Sequence, residues 1–495
     1  MGFKGSLPAA TDYERIFYPK RLAIVGVSPV GNLFGSGMIL ALNDMGYEGR
    51  IYPVNPKGGT FAGLEIYRSV EEIPDEIDFA VIAVAAQYVP EVLEDCRRKG
   101  AAGAEILSAG FKELGTREGI ALEEEVKRIA KKGIRVIGPN CFGIYCPASG
   151  MTLLPGPDLS RTPGPLAFLA QSGGMSIDFA CTGRWMGLQF SKLVSFGNGA
   201  DLRETELLAH LGQDPDTGII AMYIEGIEDG EDFFRTLREV TRKKPVVIYK
   251  GGLSAAGQRA VQSHTASMGG SKVIWESILR QSGAVQVGNL WEMAQTCHAF
   301  TYLPERIYRG MTFVGGGGAL GVTACDAAEA AGVELPVISG EIHDRIMAVL
   351  PKPGSSAVNP IDVASPMINV AMQREVLRSA ASHERVDIQI LIQLLYHHKN
   401  MANRMGVSLR EIVPYRELGD MIREVTRETG KPVVLILPNH KQDLQYLDVE
   451  ELIREARQAF IDRGIPVFDD LYSALAAIGH VSDYTARKNR RTALN

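Results

Sequence analysis

Short apolar, β-branched runs recur along the chain, separated by longer stretches with helical spacing of apolar positions. In the first third, runs at 22–25, 51–54, 79–84, 104–107 and 135–137 alternate with such helical stretches. Strands buried on both faces read in this way, as nearly continuous hydrophobic runs, so the pattern predicts βαβ units in a parallel, doubly wound sheet. The second third repeats the alternation at 166–169, 192–194, 219–224 and 245–249. Between the two, Pro155-Gly156-Pro157 and Pro163-Gly164-Pro165 mark a connection.

The final third resembles the second. Glu239-Val240-Thr241-Arg242 followed by Lys244-Pro245-Val246-Val247 returns as Glu424-Val425-Thr426-Arg427 followed by Lys431-Pro432-Val433-Val434. Phe168 to Gly174 likewise finds a counterpart in Phe313 to Gly317, each reading as a strand that runs into glycines and then a helix. The expectation is an α/β chain with a Rossmann-like lobe over residues 1–148 and two flavodoxin-like lobes over 149–304 and 305–495.

Composition narrows the classes. The 495 residues carry a formal net charge of −6, with 45% hydrophobic and 22% charged residues, which disfavours a nucleic-acid-binding surface. Six cysteines lack CxxC spacing, so neither a zinc site nor a disulfide framework is expected. No uninterrupted apolar stretch approaches membrane-spanning length, and the N-terminal residues lack an apolar signal core. A cytoplasmic protein without a metal site is the expectation.

Candidate chemistry gathers where strands end. The first strand runs into Gly26, Ser28 and Gly31, a turn that would bring backbone N–H groups and a helix start to a pyrophosphate. The second ends in Asn55-Pro56-Lys57, with a lysine where an NAD site would place an acid. That lysine suits an extra phosphate, either the 3′-phosphate of coenzyme A or the 2′-phosphate of NADP. Small residues around Ala85, and the turn at Gly138-Pro139-Asn140-Cys141, extend the same edge. In the second lobe, Ser172, Gly173 and Gly174 open a helix and offer an anion site, with Gly197, Asn198 and Gly199 after the next strand. His264 sits in a small-residue segment, 263–270, read as a loop with room for phosphate oxygens, and is the candidate nucleophile. Glu225, at a strand end, could hold its other ring nitrogen.

Taken in order, Ala23 to Ser28, Val54 to Lys57, Gly138 to Cys141, Gln171 to Gly174, Gly197 to Asp201 and Ser263 to Thr265 resemble the α-type subunit of the acyl-CoA synthetases (NDP-forming), the succinyl-CoA synthetase superfamily. The resemblance covers almost the whole chain, with Gly315 to Gly318 and Asn359 to Asp362 matching the CoA-ligase lobe. It implies that His264 is a phosphohistidine steadied by Glu225. It further implies coenzyme A bound through Gly26, Ser28, Gly31, Asn55, Lys57, Ala85, Asn140 and Cys141, and phosphate bound through Ser172–Gly174 and Gly197–Gly199. The reaction implied is acyl-CoA + ADP + phosphate to carboxylic acid + CoA + ATP. ADP or ATP with Mg2+ would bind an ATP-grasp β-type subunit in a hetero-oligomer or around a homodimer core, because no residues remain for that domain. Gly269 and Gly270 would be hinges for the histidine. The sequence departs from the family at Ala266, where glycine is usual, and at Gly269, where alanine is common. Two other classes fit parts of the pattern: a non-catalytic CoA-binding protein, and an NADP-dependent oxidoreductase.

Overall fold

The computed structural model describes residues 11–30, 34–153, 159–265 and 272–493, with the backbone alone at 262–265 and 492–493. Gly31, Pro155 to Pro157, and the segment Ala266 to Gly270 therefore lie outside the described residues. The chain separates into two compact units, residues 1–294 and 295–495.

The first unit holds two parallel sheets. One comprises β1 (Arg21–Val25), β2 (Arg50–Val54), β5 (Phe79–Ile82), β6 (Gly103–Ile106) and β7 (Arg135–Ile137), in the order β2-β1-β5-β6-β7. A small hairpin, β3 (Gly59–Phe61) with β4 (Leu64–Ile66), intervenes in sequence. The strands of this sheet are buried almost throughout, which is why they read as continuous apolar runs. The second sheet comprises β8 (Gly143–Tyr145), β9 (Pro163–Ala170), β10 (Phe190–Ser195), β11 (Ile219–Ile224), β12 (Val246–Lys250) and β13 (Val285–Val287). Its order is β13-β12-β11-β9-β10-β8, with β8 the one antiparallel member.

The chain thus enters the second sheet at Gly143, before residue 148. Ile24 and Val81 of the first sheet share a continuous hydrophobic cluster with Ile220 and Met222 of the second, so the two sheets pack as one body. Glu105, on β6, is fully buried at this seam and accepts a hydrogen bond from the Ile144 amide of β8 at 3.0 Å. Its other carboxyl oxygen has no protein partner.

The second unit holds β14 (Met311–Gly315), β15 (Ile361–Asp362), β16 (Ile388–Ile392), β17 (Val433–Ile436) and β18 (Val467–Phe468), ordered β15-β14-β16-β17-β18. Strand for strand this is the order of β10-β9-β11-β12-β13, which gives the internal repeat a structural basis. The Glu239 and Glu424 segments both lie where a helix, Gly230–Val240 or Tyr415–Thr429, hands over to the next strand, β12 or β17. In this copy the helix Gly318–Ala330 starts against a carboxylate: Asp362 Oδ1 accepts from the Gly317 amide at 2.9 Å and the Ala364 amide at 2.8 Å. Among the described residues, no helix is long and apolar enough to cross a membrane.

Burial pushes the Glu105 carboxyl up to about 8, with the Ile144 hydrogen bond opposing. Its folded pKa lies above the unfolded value, so the folded state retains a proton that the unfolded chain loses above about 4.5, and stability falls as pH rises from there towards 8. We expect Glu105→Gln to flatten this dependence. Urea unfolding at pH 5 and pH 8 should show the variant gaining on the wild type at the higher pH.

Candidate active site

Apart from His264, the candidate residues that the structure describes follow the carboxyl ends of parallel strands, where open α/β sheets bind ligands. On the first sheet, Gly26 has φ 103°, and a Cβ there would lie 2.3 Å from the Ala83 carbonyl oxygen. Only glycine fits, and the tight turn lets the helix Phe34–Met45 begin directly above the strand end. Ser36 Oγ accepts from the Ser28 amide and donates to the Ser28 carbonyl, both at 2.9 Å, which fixes the loop. Asn55 Oδ1 accepts from the Lys57 amide at 2.9 Å, leaving the Lys57 side chain exposed beside it. Ala85 is exposed on the neighbouring strand end. Among the described residues, this glycine-cornered edge with Lys57 exposed on it fits a phosphorylated coenzyme.

Segment 138–142 joins this edge to the second sheet. The Gly138–Pro139 bond is cis, Asn140 has φ 57° and an exposed side chain, and the Asn140 amide donates to the Ser108 carbonyl at 2.9 Å. The Asn198 amide donates to the Pro139 carbonyl at 3.0 Å, the Ala200 amide to the Gly138 carbonyl at 2.9 Å, and the Phe142 amide to Ser195 Oγ at 3.0 Å. A Cβ at Gly197 would lie 2.2 Å from the Asn140 carbonyl oxygen, so the two turns meet backbone to backbone.

These contacts correct two expectations. Gly197, Asn198 and Gly199 do not form an open phosphate cradle: the Gly199 amide is engaged by the Phe196 carbonyl, the Asn198 amide by Pro139, and the Asn198 side chain donates to Glu113 at 2.6 Å and Glu123 at 2.9 Å. Two carboxylates there would repel an anion. Cys141 is only 2% exposed, and its thiol points at the Ile106 carbonyl at 3.3 Å, so it fills the core instead of lining the cofactor edge. Burial raises its thiol pKa well above the ordinary value.

On the second sheet, Ser172 caps the helix Gly173–Trp185, its Oγ accepting from the Met175 amide at 3.4 Å. The amides of Gly173 and Gly174 open that helix, where first-turn donors have no intrahelical acceptor, and no acidic residue lies in the turn. The Phe142 ring lies against Gly173. Glu225, half-buried, accepts from the Tyr223 hydroxyl at 3.0 Å. Gln171 ties the end of β9 to that of β11: its Oε1 accepts from the amides of Glu225 and Gly226, the latter at 2.9 Å, and its Nε2 donates to the Gly226 carbonyl at 3.0 Å. Lys250, 3% exposed, donates to the Glu225 carbonyl at 2.8 Å and to the Gly251 carbonyl.

Ser263, His264 and Thr265 are not in a loop. They close the helix Ala255–Thr265, which begins at Ser254, whose Oγ accepts from the Gly257 amide at 3.0 Å. Ala, Gln and Arg over 255–262 favour helix strongly enough to carry it through the histidine. That helix packs on the turn Lys112–Leu114, beyond β6 of the first sheet. Sequence reasoning placed Gln171 in a motif without giving it a role, and missed Tyr223 and Lys250. The Gln171-Ser172 dipeptide and the polar Lys250 ending an apolar strand were the signals available.

Residues 20–147 match the CoA binding domain family, and 163–300 match the succinyl-CoA ligase-like flavodoxin domain family. The chain is 34% identical to the acetate–CoA ligase [ADP-forming] I subunit alpha of Pyrococcus furiosus over 94% of this chain and 96% of that one. It is 36% identical to acetate–CoA ligase [ADP-forming] I of Archaeoglobus fulgidus over 77% of this chain, but spans only 54% of that protein's length. Among solved structures, the dinucleotide-forming acetyl-coenzyme A synthetase 1 of Ca. Korarchaeum cryptofilum, in complex with phosphate and ADP, aligns over 98% of this chain and 99% of that chain. Its TM-score is 0.81 at 29% identity.

At the junction, Gly197→Ala should destabilise the first unit by about 2 kcal/mol or more, since both its left-handed backbone and its contact with Asn140 are lost to a Cβ. Urea unfolding measures this. With two domain families matched in order and an α subunit matched almost end to end, the chain belongs to the family of ADP-forming acetate–CoA ligase α subunits.

Proposed function

We propose that this chain interconverts acyl-CoA, ADP and phosphate with a carboxylic acid, CoA and ATP, and that the phosphoryl group travels on His264. One observation carries the reading. The helix that bears His264 starts after the β12 end, on the same sheet edge as the Glu225 strand end and the Ser172-capped helix start, and it packs against a turn of the coenzyme-binding sheet.

Phosphate would attack the thioester carbonyl; the C–S bond breaks, CoA leaves as thiolate, and an acyl phosphate forms. Its phosphorus is then attacked by the His264 imidazole, the P–O bond to the acyl group breaks, and the carboxylate leaves. The amides of Gly173 and Gly174 would hold the phosphoryl oxygens, donors fixed in place before charge develops. Glu225 would accept from the imidazole's other N–H and stabilise its positive charge. The phosphoryl group would pass to ADP with Mg2+ on an ATP-grasp β-type partner. The match covers 54% of the Archaeoglobus fulgidus protein, so nearly half of that protein lies outside it, which supports a separate nucleotide-binding portion. Gly26, Ser28, Asn55, Lys57, Ala85 and Asn140 would line the coenzyme edge, with Lys57 at the 3′-phosphate. The division into 1–148, 149–304 and 305–495 assigns coenzyme binding to the first part and phosphoryl transfer to the second.

Incubation with acetyl-CoA and 32P-phosphate should label the protein in an acid-labile, base-stable form, and His264→Ala should abolish the label. Persistence of label in the variant rejects the assignment. Glu225→Gln should slow labelling about 100-fold. Absence of label under every condition, with CoA still binding, would instead favour a non-catalytic coenzyme binder. Lys57→Ala should weaken CoA roughly tenfold and leave dephospho-CoA unaffected, as titration calorimetry would report.

A further inference from the structure

Lys250 is a buried cation of the first unit that the proposed chemistry leaves without a role; unlike the equally buried Lys192, which is paired with Asp214, it is held by main-chain carbonyls. It ends β12, is 3% exposed, and among the described residues forms no ion pair with a carboxylate. Its ammonium donates instead to two main-chain carbonyls, Glu225 at 2.8 Å and Gly251, and lies 5.2 Å from the centre of the Trp275 ring. A desolvated ammonium is costly unless its donors are satisfied, and two carbonyl dipoles and an aromatic face supply that. Burial draws its pKa down to about 8 against the opposing field of Glu225, so the charged form persists at neutral pH.

The three partners have one thing in common. Glu225 is the carboxylate-bearing strand end, Gly251 begins the turn that leads through Ser254 into the helix Ala255–Thr265, and Trp275, 5% exposed, anchors the helix Lys272–Ser282. A methionine of similar length could fill the volume and would satisfy none of these carbonyls. Tyr223 orients the Glu225 side chain, whereas Lys250 holds its main chain.

We infer that Lys250 is a positioning residue for phosphoryl transfer: its ammonium braces the Glu225 strand end against the start of the histidine-bearing helix, fixing the register in which carboxylate and imidazole meet. This rests on the phosphoryl-transfer reading above, and its test is arranged so that the two fail separately. In the full chain, Lys250→Met should slow labelling from saturating acetyl-CoA and 32P-phosphate at least tenfold while CoA affinity stays within twofold. Lys250→Arg should recover most of the rate. Hydrogen exchange, which needs no catalysis, should show the amides of 255–265 exchanging faster in Lys250→Met, with those of β1 and β5 unchanged. Labelling of Lys250→Met within twofold of wild type, or unchanged exchange over 255–265, overturns the inference. If the wild type itself takes no label, the phosphoryl-transfer reading falls and the exchange measurement alone decides the brace.

Discussion

The first unit depends on how five residues, Gly138 to Phe142, close the gap between two sheet edges. Each sheet alone would present its strand ends to water. This link instead receives hydrogen bonds from Asn198 and Ala200, gives one to Ser108 and another to Ser195, and lays Phe142 on the start of the Gly173 helix. Buried backbone polar groups need partners, and here each sheet supplies the other's. The first sheet's glycine-cornered edge and the Gly173 helix start are thereby held within one packed body, with a shared apolar cluster beneath them.

Above that junction, charge is distributed unevenly. The helix start at Gly173 carries no acid, while the neighbouring turn at Asn198 is tied to two carboxylates. The first start thus lacks the negative charge that surrounds the second. Gln171 and Lys250 then grip the main chain around Glu225 from two sides, so a carboxylate that would otherwise swing at a strand end is presented from a fixed backbone. Preorganisation of this kind costs nothing further when charge develops in a reaction.

Most of the architecture was legible because parallel strands buried on both faces write themselves as apolar runs; Ile219 to Ile224 was bounded to the residue. The pieces that escaped are short or polar. β8 is three residues long and pairs antiparallel across the expected lobe boundary, and pairing partners leave no mark in local sequence. Ser263 to Thr265 looked like a loop because small polar residues favour loops, yet the Ala- and Gln-rich residues before them carry the helix on. At the site, glycine motifs located the right strand ends but could not reveal which amides were already engaged, as at Asn198 and Gly199. That depends on contacts more than 50 residues away, such as Asn198 with Pro139 and Glu113.

The duplicated sheet in the second unit shows what happens when the same corner is closed from within. Its glycine turn already clasps the Asp362 carboxylate at the mouth of the Gly318 helix, so the positive pole there is neutralised by a tethered anion at unbeatable local concentration. A diffusing oxyanion would meet like charge there, whereas the first turn of the Gly173 helix carries no acidic residue. Two corners built to one plan thus differ in the charge at their mouths.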